Sequence, residues 1–429
     1  MKRRLLPILM TLVLVCALPI WAAFVTSGDV TNPLVSTADA AELTLQGMID
    51  QANAGDTIKL SSNTEVHATL QITKNLTLDL NGHVLKMTGS GSVLKVSGRA
   101  TLTITDSRPQ NPHTEPYVGL PAGGVITGGE GTNVTGIYYV GGAVFLENDT
   151  TLKLEGGTIT ENSSSGGSVF ISDEKAVFEM SGGTITGETV GVRNNVGTFT
   201  MTGGRITGCR DRGVYVHNGN MTMSGTAYIG GNPGAKEDIY VREPDHKHTD
   251  LSVTGGTVEG NVRIEFGANL GMTQESLKPV ANSVVKEGGV FEGHIQVRID
   301  NTEGTSVDYN TVNFIDEVAK TRTLQLVLAG EKATRPTDPA TVNGQAFMYW
   351  AAKGTSEAWN FDTEINESIT LYAVRTPASS SGYYYYPTTD TKADDAKGSP
   401  KTADPGAALY GALALLSLTG LTCTARKKF

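Results

Sequence analysis

Apolar and polar residues alternate with a period of two through the middle of the chain, in one phrase written five times. Its clearest copies are LKLEGGTIT (152–160), FEMSGGTIT (178–186) and FTMTGGRIT (199–207); looser ones are MTMSGT (221–226) and LSVTGGTV (251–258). The first glycine of each copy falls at 156, 182, 203, 225 and 255. A self-similar phrase at this period fixes the architecture before any other signal. Within each copy, Leu152/Leu154, Phe178/Met180, Phe199/Met201, Met221/Met223 and Leu251/Val253 share one face, with polar residues between them. Period two predicts a strand with alternate side chains on opposite faces. The glycine pair predicts a sharp bend, because glycine takes positive φ without strain, and Ile159, Ile185, Ile206 or Val258 then resumes the inward face. One copy cannot bury its apolar face alone, whereas stacked copies build a continuous core. Coils of 21–30 residues with short strands and no intervening helix predict an all-β protein, a right-handed parallel β-helix.

The same alternation extends the solenoid in both directions. Leu76, Leu78 and Leu80 face inward before an Asn81-Gly82 turn, and Leu102 and Ile104 face inward in the next coil. Leu45, Met48, Ile49 and Ala52 have helical spacing and predict an amphipathic cap for the open end of the stack. Pro109, Pro112, Pro116 and Pro121 interrupt the rhythm and predict an excursion out of the ladder over 107–121. Coils resume at Gly123-Gly124, fade near 267–280, and return once at Val290-Phe291. Shorter alternating strands with an aromatic core then predict a second, small all-β module. The domains expected are a β-helix with its cap over 41–303, the module over 307–376, and a spacer over 377–398 whose few aliphatic residues build no core.

The two ends carry targeting signals rather than core. Lys2-Arg3-Arg4 followed by an apolar run to Phe24 predicts a secretory signal within 1–40, cut before Ala41 or near Ala22–Ala23. At the other end, Ser399-Pro400-Lys401-Thr402-Ala403 precedes an apolar stretch, Ala407 to Ala425, and the basic tail Arg426-Lys427-Lys428. Alone, that stretch is near the minimum length for a membrane span, and the positive tail fits a cytoplasmic end.

Composition narrows the function classes. A formal net charge of −10 argues against nucleic acid, which needs a basic stripe. Of Cys16, Cys209 and Cys423, only Cys209 is expected in the processed chain, which excludes an intramolecular disulfide scaffold and a cysteine metal cluster.

Three resemblances follow from these residues. The helix and the phrase ANAGDTIKL (52–60) resemble the start of pectin-lyase-like β-helix proteins, over about 42–300. Pro336, Pro339, Phe347, Trp350, Phe361-Asp362 and Ile369-Thr370-Leu371-Tyr372-Ala373 resemble the Listeria–Bacteroides repeat, or internalin B-repeat, of bacterial surface proteins, which implies a small β-grasp-like module over 307–376. The chain departs from that family at Val374-Arg375, where Lys-Trp is usual, and in lacking its initial Asn-Gly-Gly turn. The segment 399–429 resembles the cell-wall sorting signal of Gram-positive surface proteins, with Ser399 for Leu and Ala403 for Gly in the Leu-Pro-x-Thr-Gly motif. That likeness implies a sortase that cuts after Thr402 and joins it to peptidoglycan, with the apolar segment only transiently in the membrane.

Candidate chemistry is sparse. Arg210, Asp211 and Arg212, with His217 on the following strand, form the best cluster: an Arg as base and an acid holding Ca²⁺ would suit a polysaccharide lyase. A salt-linked turn explains the same residues more economically. Asp245, His246, His248 and Asp250 have metal-ligand character, but a third ligand on one face is not evident and a solvated turn is preferred. Six residues beyond the first glycine, Asn162, Glu188, Cys209 and Asn261 occupy one slot, with Asn232 one further. Side chains stacked there form a ladder, in which Cys209 is expected as a partly buried packing residue. No cofactor is expected, Ca²⁺ entering only with the lyase alternative. The function expected is that of a non-enzymatic, cell-wall-anchored surface protein that binds glycans or host-surface ligands. The alternative is an anchored polysaccharide lyase or glycoside hydrolase on the same scaffold.

Overall fold

A computed structural model describes residues 44–377, apart from 135, 137, 233–236, 244–250, 268–287 and 301–305. The signal segment, the spacer beyond Pro377, the Ser399–Ala403 motif, and Asp245, His246, His248 and Asp250 lie outside the described residues. Among the described residues, no helix is long and apolar enough to cross a membrane.

The chain is the all-β, right-handed parallel β-helix that its repeats predict. Each coil lays one short strand on each of three sheets, and each strand pairs in parallel with its equivalent one coil away. The first sheet has eight described strands, the second nine and the third thirteen. Side chains of one slot therefore stack along the axis. Leu102, Leu152, Phe178, Phe199, Met221 and Leu251 form one such column on the first sheet. Phe178 and Phe199 stack with centroids 4.9 Å apart and planes 12° from parallel, the strand spacing of a sheet. Leu76, Leu78 and Leu80, and Leu102 and Ile104, are buried as expected.

The glycine pairs turn the chain from the first sheet to the second. The second glycine adopts positive φ, +71° at Gly183 and +79° at Gly204. A Cβ on Gly182 would fall 2.2 Å from the carbonyl oxygen of Glu155. The close stacking of turns thus needs both glycines, one for its conformation and one for its missing side chain.

Helix Leu45–Gln51 covers the open end, capped by the Thr44 side chain, which accepts from the Gly47 amide. Leu45 and Ile49 are buried, but Met48, expected on the same face, is exposed. The proline-rich excursion contains no strand and folds back so that Tyr117 packs on Val84 and Val125 of the second sheet. Its hydroxyl donates to Glu65 at 2.7 Å.

At the far end the third sheet does not stop. Strand Ile295–Asp300 pairs in parallel with Val262–Gly267 and antiparallel with the long strand Ser306–Asp316. That long strand hairpins with Thr321–Leu328, runs parallel to Ile369–Arg375, and so starts the small mixed sheet of the C-terminal module. Phe347–Ala352 completes that sheet as an antiparallel neighbour of Ile369–Arg375. The module core is Val312, Phe314, Val327, Trp350, Ile365 and Leu371, with Phe347, Trp359 and Phe361 packed against it. Arg375 forms a buried ion pair with Asp316, Nη2 to Oδ2 at 2.5 Å. Burial alone would raise the Asp316 carboxyl, but Arg375 and the amides of Ala319 and Val318 hold it below its usual range. Thr311 and Asn313 reach back to the last coil: the Asn313 Oδ1 accepts from the Phe291 amide at 3.1 Å, and the Thr311 hydroxyl donates to the Phe291 carbonyl at 2.6 Å. The module satisfies backbone groups that the solenoid's final turn would otherwise leave unpaired.

Candidate functional site

The third sheet presents the most chemically varied outer face. Its strands are built from apolar triplets whose outer members point inward: Val144/Leu146, Val169/Ile171, Val214/Val216, Ile239/Val241, Val262/Ile264 and Ile295/Val297. The pleat turns the middle member outward. Parallel register then places Lys95, Phe145, Phe170, Arg193, Tyr215, Tyr240, Arg263 and Gln296 in a single row along the axis. Seven strand steps make the row about 34 Å long.

A hairpin covers the first part of the row. Thr132–Asn133 pairs antiparallel with Tyr139–Val140, and Tyr138 and Val140 pack on Phe145 and Phe170. The two phenylalanines stack at 5.6 Å and are buried beneath it. Gly166 and Gly167 permit this closure: a Cβ on Gly166 would fall 2.4 Å from Val140 Cγ1, and one on Gly167 2.9 Å from Arg193 Cβ. Where the cover ends, the Arg193 guanidinium lies 5.1 Å from the Tyr138 ring centroid and 4.5 Å from that of Tyr215. Its Nη1 donates to the Tyr138 hydroxyl, and burial raises that hydroxyl's pKa.

Farther along, Tyr215 and Tyr240 have ring centroids 5.0 Å apart, and the Arg212 guanidinium sits 4.5 Å from the Tyr240 ring. Arg212 joins two carboxylates, Asp211 at 2.5 Å and Glu237 at 3.4 Å, while Arg263 reaches Glu237 at 3.0 Å. On the other margin, the Tyr240 hydroxyl donates to Glu265 at 2.9 Å and Arg242 lies 3.5 Å from the same carboxylate. Burial first, then the Glu265 charge, drives the Tyr240 hydroxyl far above its usual range, so it remains a donor. Arg263 Nε donates to Gln296 Oε1 at 2.8 Å, and Gln296 Nε2 to Asp308 at 2.7 Å. One guanidinium thus follows each aromatic pair along a floor that backbone register sets.

The structure sets the sequence candidates on the margins of this row. Asp211 and Arg212 pair with each other in the turn before strand Arg212–His217. His217 stands two residues beyond Tyr215, ring edge to face at 6.2 Å. Arg210 is exposed and donates from Nη2 to the Thr189 hydroxyl at 3.3 Å. Asp238 and Arg242, on one strand, have separate partners, Asn232 and Glu265. Sequence reading gave no role to Phe145, Phe170, Tyr215, Tyr240, Arg193, Arg263 or Glu237. A signal was present, since each of the first six is the central residue of a triplet beginning with Val or Ile, one coil apart.

The turn from second to third sheet holds the polar ladder. Asn162 donates from Nδ2 to Glu188 at 3.0 Å, and its amide donates to the same carboxyl at 3.1 Å. The Cys209 amide donates to Asn232 Oδ1 at 2.7 Å, and Asn232 Nδ2 to Asp238 at 2.6 Å. Cys209 is fully rather than partly buried, within the apolar core. Burial, then the nearby Glu188, raises its thiol to about 12, so it carries little thiolate at neutral pH. Burial likewise raises Glu188 to about 7, against the hydrogen bonds from Asn162. Among the described residues, no three His, Cys, Asp or Glu side chains are grouped to hold a metal ion. No family model matches the chain, and no curated protein matches it.

Proposed function

We propose that this is a non-enzymatic, cell-wall-anchored surface protein that binds an extended glycan along the outer face of its third sheet. The row of aromatic and guanidinium side chains from Arg193 to Gln296 carries the reading. Its repeat of about 4.8 Å is close to the length of one pyranose residue in an extended polysaccharide. Aromatic faces take the apolar faces of sugars, while Arg and Gln forks take hydroxyl and acidic groups. The signal segment and the Ser399–Ala403 motif with its apolar run and basic tail support display on a Gram-positive wall, with sortase and peptidoglycan as partners.

Binding is favoured over cleavage by how the carboxylates are employed. Asp211 and Glu237 share one guanidinium, and Glu237 has a second in Arg263. Paired glycosidase carboxyls must instead face the scissile bond from opposite sides in different protonation states. The test is incubation of the purified full chain with pectins, glycosaminoglycans and mucin glycans, with and without Ca²⁺. Retention of one or more glycans at unchanged chain length is expected. Unsaturated or reducing-end products that vanish in Arg210→Ala or Asp211→Ala would overturn the proposal and establish a lyase or hydrolase.

A further inference from the structure

Arg193 differs from its neighbours in what neutralises it. Lys95 pairs with Glu147 at 2.6 Å, Arg212 with Asp211 and Glu237, Arg242 with Glu265, and Arg263 with Glu237. Among the described residues Arg193 pairs with no carboxylate. Its one hydrogen-bond partner is the neutral Tyr138 hydroxyl, and its Nε is buried with none. A half-buried guanidinium without a counter-charge is under-compensated, and two aromatic faces offset only part of that. The position is also geometrically fixed, because Gly167 leaves room for the Arg193 side chain where any Cβ would displace it.

We infer that Arg193 is an anion subsite within the row, taking the carboxylate or sulfate of an acidic sugar whose neighbours lie along the Tyr215 side. The inference rests on the glycan-binding reading and adds the charge of the ligand. The planar fork suits a two-oxygen contact, and Tyr138 and Tyr215 flank it, so that little rotamer freedom is lost on binding. A protein with a net charge of −10 repels polyanions at long range, but salt screens that repulsion beyond about 10 Å. Selectivity for an acidic chain must then come from a local contact, which an unpaired guanidinium supplies.

The test is an array of uronate-, sialate- and sulfate-bearing oligosaccharides, each beside its neutral counterpart, the methyl ester or the desulfated sugar. The purified full chain is compared with Arg193→Gln, Arg193→Lys and Arg99→Gln, the last removing an equal charge from an exposed turn. Wild type and Arg99→Gln are expected to prefer the acidic member of a bound pair by about tenfold, roughly one charge-assisted contact. Arg193→Gln should bring that ratio to about one, and Arg193→Lys, which keeps charge but not the fork, should leave it in between. The uronate and sulfate arms identify which anion the fork prefers. Glycans bound with no acidic preference, or a preference unchanged in Arg193→Gln or Arg193→Lys, would overturn the subsite and leave the glycan-binding reading standing. Binding of no glycan at all would overturn both.

Discussion

Glu188 is a buried carboxyl whose protonation departs well away from its ordinary state. It is fully buried, and burial raises its carboxyl from 4.5 to about 7. The folded state therefore holds a proton that the unfolded chain releases above about 4.5. Stability should be greatest at or below about pH 4.5 as far as this group is concerned, fall as pH rises toward 7, and then level. A shift of this size corresponds to roughly 3 kcal/mol between those limits. Glu188→Gln keeps a neutral side chain and should flatten that part of the profile, read as the thermal midpoint between pH 5 and 8. Parallel profiles for the two proteins would mean that Glu188 is ionised in the fold. The sequence revealed the slot, because Asn162, Glu188, Cys209 and Asn232 recur at nearly one offset from the glycines. It did not reveal the degree of burial, which depends on how closely successive turns stack.

At the level of elements, the strands of the first sheet were the most legible. Strict alternation and the glycine pairs specify both face and bend, and the columns through Phe178, Phe199 and Met221 follow from them. Phe199→Ala should then cost about 3–5 kcal/mol, whereas Thr200→Ala, whose side chain lies on the outer face, should cost under about 1 kcal/mol. Equal losses in denaturant unfolding would show the register to be shifted by one residue. The third sheet was harder to read because its strands are separated by excursions of different length. The hairpin at 132–140 intervenes before one strand, so its triplets do not align by simple counting. Parallel pairing sets Tyr240 beside Tyr215, and Glu237 beside Arg212, one coil apart.

On the scale of the whole molecule, a solenoid offers what a globular domain of the same mass does not, a long straight face with one side chain repeated at each strand step. Its two ends are closed differently, by a helix at one and by the C-terminal module at the other, whose first long strand extends the third sheet itself. The face proposed for glycan binding thus lies on a continuous sheet from the first coil into the module. Repeats specify such a scaffold almost completely, while function resides in the outward residues that the repeat leaves free to vary. That difference explains why the architecture was readable from the sequence and the outward row on the third sheet was not. The central claim is that this row holds a glycan without cutting it, and Tyr215, half-exposed between Arg193 and Tyr240, is its most direct probe. The decisive measurement is a calorimetric titration of the full chain and of Tyr215→Ala with the best-bound glycan, recovering the glycan afterwards for its length. The account predicts at least about tenfold weaker binding in the variant, as expected for loss of a central aromatic contact, and glycan of unchanged length from both proteins. Undiminished affinity in Tyr215→Ala, or shortened glycan from the wild type, would contradict it.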